Sequence, residues 1–120
     1  MASANIVQYI VIRSDLTTVL GWPTGALLAQ ACHACSAALH IFRNEPTTIS
    51  YMENLDNMHK VVLGVKDEDT LLRLADKLKA NNIDYKIWME QPENISTCIA
   101  TRPYVKSDVQ KYFKKFKLFA

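Results

Sequence analysis

Residues Ile6 to Arg13 (IVQYIVIR) form a nearly continuous apolar run, broken only by Gln8. A run this rich in β-branched and aromatic residues has the character of an interior strand buried on both faces. Ser14-Asp15 ends it. Residues 16–22 then form a loop that closes on Gly21-Trp22-Pro23, and a proline is tolerated there in the first turn of a helix. From that point to about Arg43 the hydrophobic period is helical. Leu27, Leu28, Ala31, Cys32, Cys35, Ala38, Leu39 and Phe42 fall on one broad arc. Ala26, Gln30, His33, Ala37 and His40 fall on the opposite arc. The expected helix buries the first arc and presents a narrow second face of small residues carrying Gln30 and His33. Asn44-Glu45-Pro46 stops it, because the residue before a proline resists helical geometry.

A shorter helix is expected over 47–58, with Ile49, Tyr51, Met52 and Leu55 on its buried side. Lys60 to Val65 (KVVLGV) reads as a second buried strand. Asp67 has the character of an N-cap, and Glu68 and Asp69 put negative charge in the first helical turn, where the macrodipole favours it. Leu71, Leu72, Leu74, Ala75 and Leu78 carry that helix to Asn81-Asn82. Asp84 to Met89 is a third strand, residues 90–94 a turn, and Ile95 to Thr101 a fourth strand ended by Arg102-Pro103. Ser107 and Gln110 have capping-box spacing for a last helix over 107–115. The tail Lys115 to Ala120 alternates apolar and basic residues, a pattern suited to lying extended along a sheet edge. Strands alternating with helices predict a three-layer α/β/α fold around a mixed, mostly parallel four-stranded sheet. One domain is expected to span residues 1–120.

Composition narrows the class. At 120 residues and 49% hydrophobic content the chain suffices for one packed core, and global disorder is excluded. A formal net charge of +2 permits a phosphate-bearing partner without arguing for one. The three cysteines are an odd number, unlike the even framework of a small secreted domain. The N-terminal apolar run has no basic residue before it, and no run approaches the about 18 apolar residues of a membrane-spanning helix. The expectation is a soluble, cytoplasmic protein without a membrane partner.

Four groups of residues invite chemistry. Cys32-His33-Ala34-Cys35 lies inside the helix, away from the N-terminus where a redox thiolate gains from the dipole, and has no second ligand cluster for zinc. It reads as core packing. Gln30 and His33 either hydrogen-bond backbone under the 15–22 loop or floor a polar pocket. Lys106, Lys111, Lys114, Lys115 and Lys117 alternate with Tyr104, Tyr112, Phe113 and Phe116, either as a solvated face or as a phosphate-binding patch. Glu90 follows the third strand and Thr97 lies in the fourth, where open α/β sheets often line a ligand crevice. No Gly-rich phosphate loop, nucleophile elbow or metal-ligand helix motif occurs.

Several of these stretches together resemble the type 2 peptidyl-tRNA hydrolase family, over nearly the whole chain. They are Arg13-Ser14-Asp15-Leu16, Ala29-Gln30, His33-Ala34, Lys60-Val61-Val62-Leu63, Asp67-Glu68, Thr97 and Pro103. GWPTGALLAQACHA, WMEQPENISTCIATRPY and the KKFKLF ending point to that family's divergent branch, the peptidyl-tRNA hydrolase domain-containing proteins. The resemblance implies metal-independent, cofactor-free hydrolysis of the ester joining a peptide to the 3′ ribose of tRNA, and often a homodimer. By position it implies a catalytic set of Gln30, His33, Glu90 and Thr97: Glu90 or His33 activates water, and Thr97 and Gln30 orient it. Arg13, Lys60, Arg102, Lys111 and Lys114 are the candidates for holding RNA. Two departures stand out. The family lysine four residues before the glutamine is Ala26 here, following Gly25, and the family's Asp-Ala-Gly-x-Thr loop is the shorter Glu90-Gln91-Pro92. Losing one electrostatic donor of that kind costs about 10²–10³ in rate. Arg13, Arg102 and Lys60 are the candidates to replace it. The alternative is a family member that kept the fold and serves as a tRNA-binding or protein-interaction module.

Overall fold

The structure, a computed structural model, describes residues 5–120, so residues 1–4 of the expected domain lie outside the described residues. Strand β1 (Ile6–Arg13) leads through a one-turn helix α1 (Asp15–Thr18) to the long helix α2 (Thr24–Ile41) and to α3 (Pro46–Glu53). Strand β2 (Lys60–Val65), helix α4 (Glu68–Ala80) and strands β3 (Tyr85–Glu90) and β4 (Ile95–Thr101) follow. The chain ends with β5 (Tyr104–Val105), α5 (Lys106–Val109) and β6 (Lys117–Leu118). The six strands are ordered β3-β4-β1-β2-β6, with β5 paired to β1.

Helices cover both faces of a mixed sheet, as expected, but the sheet differs in detail. It has six strands rather than four, and parallel pairing is confined to β1–β2. The remaining pairs are antiparallel. The connections explain this. Two long helical crossovers occur, but only the β1–β2 crossover joins neighbouring strands. The one through α4 carries the chain from β2 past β1 to β3 at the edge. Strand β4, joined to β3 by a turn short enough to force reversal, fills the gap antiparallel to both neighbours. Strands β5 and β6, two residues each, are too short to leave a periodic signal. The tail does lie along the sheet edge: β6 pairs with β2, and the Phe119 N–H donates to Val62 C=O at 3.0 Å.

Strand β1 is buried on both faces, and its alternation divides the core. Val7, Tyr9 and Val11 face Leu71, Leu74 and Leu78 of α4, with Val109, Tyr112 and Phe113 completing that side. Phe113 stacks on Tyr9 with ring centroids 4.1 Å apart. Ile10 and Ile12 face the opposite layer, against Leu27, Ala34 and Ala38 of α2. Gln8, fully buried, is satisfied: its amide donates to Thr101 C=O at 3.0 Å, and its oxygen accepts from Lys60 Nζ at 2.7 Å and Cys35 Sγ at 3.1 Å.

The setting of α2 corrects the sequence reading. Its buried stripe is Leu27, Gln30, Ala34 and Ala38, while Leu28 and Cys32 are exposed and Cys35 is half-buried. Gln30 therefore lies on the buried face and His33 on the exposed one. The helix is apolar nearly all round, so the period alone leaves its rotation free. The small Ala34 and Ala38 let it approach the sheet, and Gln30 finds partners there.

Two other helices also differ from expectation. Helix α3 ends at Glu53 and buries Thr48 and Tyr51, leaving Ile49, Met52 and Leu55 exposed. Tyr51 anchors it by donating to His59 C=O at 3.0 Å. The last helix is only Lys106–Val109, continued by a 3₁₀ turn over Gln110–Tyr112, and Ser107 does not cap it. Helix α4 starts as expected, with Asp67 accepting from the Thr70 N–H at 2.9 Å. Among the described residues no single helix is long and apolar enough to cross a membrane.

Candidate functional site

A register slip builds the site. Along the antiparallel β3–β4 pair, Trp88 faces Cys98 but Met89 faces Ser96, which leaves Thr97 as an extra residue in β4. Such a bulge bends its strand and re-aims the side chain it carries. Cys98 already faces α2. Strict alternation would turn Thr97 toward α4, yet the bulge turns it toward α2 as well. There its hydroxyl donates to Gln30 Oε1 at 2.9 Å.

From Thr97 a chain of hydrogen bonds runs to the surface. Gln30 Nε2 donates to Glu90 Oε2 at 2.8 Å and to Ala26 C=O, one turn back in α2, at 3.1 Å. The amide is thus held at both ends. Thr97 and Gln30 are 0% and 1% exposed, so both lie beneath the surface, and Glu90 is the end of the chain nearest solvent. Glu90, expected just past the third strand, is the last residue of β3 and pairs with Ile95. Its second oxygen accepts from the Trp88 indole N–H at 3.4 Å. The Gln30 hydrogen bond, aided by Trp88, the Gln91 backbone and the nearby His33, holds the Glu90 carboxyl below the usual glutamate range despite partial burial. His33, exposed on α2, stacks on Trp88 with centroids 4.3 Å apart. All four residues of the expected catalytic set therefore lie around one point.

Glu90 opens on a cleft of about 260 Å³ lined by Trp22, Pro23, Ala26, Gln91 and Glu93. The Gly-Trp-Pro turn supplies one wall and the β3–β4 turn the other. The cleft wall holds two carboxylates, Glu90 and Glu93, and no lysine or arginine. Trp88 and Trp22 were not singled out from the sequence. The alternation along β3, which puts Trp88 on the same face as Glu90, was the available signal.

The expected basic residues are not brought to this cleft. Arg13 is buried: Nε and Nη2 donate to the Asp15 carboxylate, each at 2.9 Å, and Nη1 donates to Ser96 C=O at 3.0 Å. Lys60 begins β2, opposite Gln8, at the far end of the sheet from Glu90. Arg102 follows the last residue of β4, where Nε pairs with Asp84 at 2.8 Å and the guanidinium covers the Tyr104 ring. None of the three lines the cleft beside Ala26. Lys111 and Lys114 are exposed on the α4 side of the sheet, flanking the buried Tyr112 and Phe113. Among the described residues no three His, Cys, Asp or Glu side chains converge as a metal-holding group, and Cys32, Cys35 and Cys98 are unpaired.

Comparison with known proteins finds one family along nearly the whole chain. The profile of the family described as "Peptidyl-tRNA hydrolase PTH2" matches residues 6–119. The chain is 56% identical over 115 residues to "Putative peptidyl-tRNA hydrolase PTRHD1" of Mus musculus, covering 95% of this chain and 82% of that protein. The protein of the same name from Homo sapiens matches with the same identity and coverage. A "Peptidyl-tRNA hydrolase" of Methanococcus vannielii is 30% identical over 118 residues, covering 92% of this chain and 97% of that protein. The chain belongs to the peptidyl-tRNA hydrolase PTH2 family.

Proposed function

We propose that this protein hydrolyses the ester joining a peptidyl or N-blocked aminoacyl group to the 3′ ribose of tRNA, with the Glu90 cleft receiving the ester. The observation that carries this reading is the buried Thr97–Gln30–Glu90 hydrogen-bond chain, which ends at an open cleft. An inward-facing Thr–Gln pair that grips a surface carboxylate fixes that carboxylate's position. The depressed affinity of Glu90 for a proton suits it to orient the attacking water rather than to keep the water's proton. His33, beside it on Trp88, takes that proton as the water oxygen bonds to the ester carbon, and returns it to the ribose 3′ oxygen as the carbon–oxygen bond of the ester breaks. Thr97 and Gln30 are positioning residues. For the RNA itself, the exposed Lys111 and Lys114 are the free candidates, because Arg13 and Arg102 are held in ion pairs and Lys60 is bonded to Gln8.

Single-turnover hydrolysis of an N-acetyl-aminoacyl-tRNA tests the reading. His33→Ala is expected to slow cleavage about 10²–10⁴-fold, and Glu90→Gln about 10²-fold or more. Wild-type rates in both variants refute the site. A second reading is favoured by the cleft's two carboxylates and the alanine at position 26: a tRNA-binding module without turnover. It predicts salt-dependent tRNA affinity with no product, and cleavage gained by Ala26→Lys.

A further inference from the structure

We infer that Arg13 and Glu68 are positioning residues for this site, gripping both backbone groups of Ser96 and so fixing the bulge that aims Thr97 at Gln30. The inference rests on the proposed reading of the Glu90 cleft. The ladder between β1 and β4 stops at the Ile12–Cys98 pair. Beyond it the next strand offers Ser96 no backbone partner, although Ser96 is only 2% exposed. Buried backbone groups need partners, and two charged side chains supply them. The Ser96 N–H donates to Glu68 Oε2 at 2.7 Å, and its carbonyl accepts from Arg13 Nη1 at 3.0 Å. The same Arg13 nitrogen lies 4.0 Å from Glu68 Oε2, which closes the ring. Asp15, bidentate on the other edge of the guanidinium, sets its plane.

Two sequence stretches that the proposed chemistry does not use, Arg13-Ser14-Asp15 and Asp67-Glu68, thus meet at the residue before Thr97. A bulge is a locally disrupted ladder and can relax into regular pairing. Regular pairing would return Thr97 to the α4 face and release Gln30. The clamp holds the one register that keeps the Thr97–Gln30–Glu90 chain intact.

The experiment compares wild type, Glu68→Ala and Glu68→Gln in the full-length protein. NMR follows Ser96 amide exchange and the Thr97 methyl resonance, while single-turnover hydrolysis of N-acetyl-aminoacyl-tRNA follows cleavage. Glu68 is half-exposed in the first turn of α4, so the variants are expected to fold, and a melting curve checks this. In Glu68→Ala, Ser96 exchange should quicken at least tenfold and the Thr97 resonance should move. Cleavage should fall about 10²-fold in its saturating single-turnover rate, with the half-saturating protein concentration little changed. Glu68→Gln keeps an acceptor oxygen and should restore all three. Unchanged exchange and an unchanged Thr97 resonance in Glu68→Ala would overturn the clamp. Displacement of Thr97 with cleavage still at the wild-type rate would overturn the positioning role. If wild type does not cleave at all, the hydrolase reading fails, and the NMR comparison still decides whether the clamp sets the bulge.

Discussion

Glu90 and Gln30 show how one side-chain pair can set both a charge and a geometry. The Gln30 amide donates to the carboxylate and so favours its ionised form more than partial burial disfavours it. Because the folded-state affinity for protons is lowered, the stabilisation from this hydrogen bond is complete above the ordinary glutamate range. It is lost as pH falls through the lowered folded value. Any acid limb of activity that reports Glu90 should therefore lie below the usual carboxylate range. Gln30→Ala removes the largest cause of the shift, so a carbon-13 titration should show the Glu90 carboxyl moving up toward its ordinary value. Thr97→Val tests the other end. It preserves shape but leaves Gln30 Oε1 without its donor in a buried site. The expected cost is about 1–3 kcal/mol, measured by urea unfolding, together with a loss of turnover.

At the scale of elements, the edge strand β6 closes the sheet on the α2 side. Phe119 lies against Gly64 of β2, where an added Cβ would come within 3.2 Å of the Phe119 ring. The glycine thus gives the tail's aromatic ring its seat. Phe119→Ala should lower unfolding stability by about 1 kcal/mol, since the ring is only half-buried, and should loosen β6 in hydrogen exchange. The tail's alternation made its extended placement legible in the sequence. So did the two-sided burial of β1 and the Asp67 cap, because each is a local signal of period or position. The rotation of α2 was not legible. Its apolar residues surround the helix, and what fixes Gln30 inward is Thr97, sixty-seven positions away. The bulge was hidden for the same reason: nothing within ISTCIAT distinguishes a regular strand from one carrying an extra residue. The sequence therefore offers Gln30, His33, Glu90 and Thr97 as candidates by residue type and position, while their layering, with Gln30 and Thr97 buried below a half-buried Glu90 and an exposed His33, came only from the packing.

At the scale of the whole molecule, the sheet separates the candidate chemistry from the candidate RNA-binding surface. Gln30, Glu90 and His33 sit with α2, whereas Tyr112 and Phe113, which carry Lys111 and Lys114 beside them, pack on the α4 side. The formal charge of +2 conceals a concentration: residues 106–117 hold five lysines against one aspartate. A substrate that ends at the cleft reaches these lysines only if its body wraps past the sheet, so they would hold the tRNA and leave the ester untouched. Lys111→Glu with Lys114→Glu should then weaken tRNA binding and flatten the log–log salt dependence by about 0.7–0.9 for each phosphate that is no longer neutralised. Cleavage of an N-acetyl-aminoacyl ester of a CCA trinucleotide, too short to wrap, should be unchanged in the same variant. A matching fall in rate on both substrates would mean that the lysines act at the cleft. Unchanged tRNA affinity would instead make the α4 face a solvated surface and leave recognition to the acyl end alone.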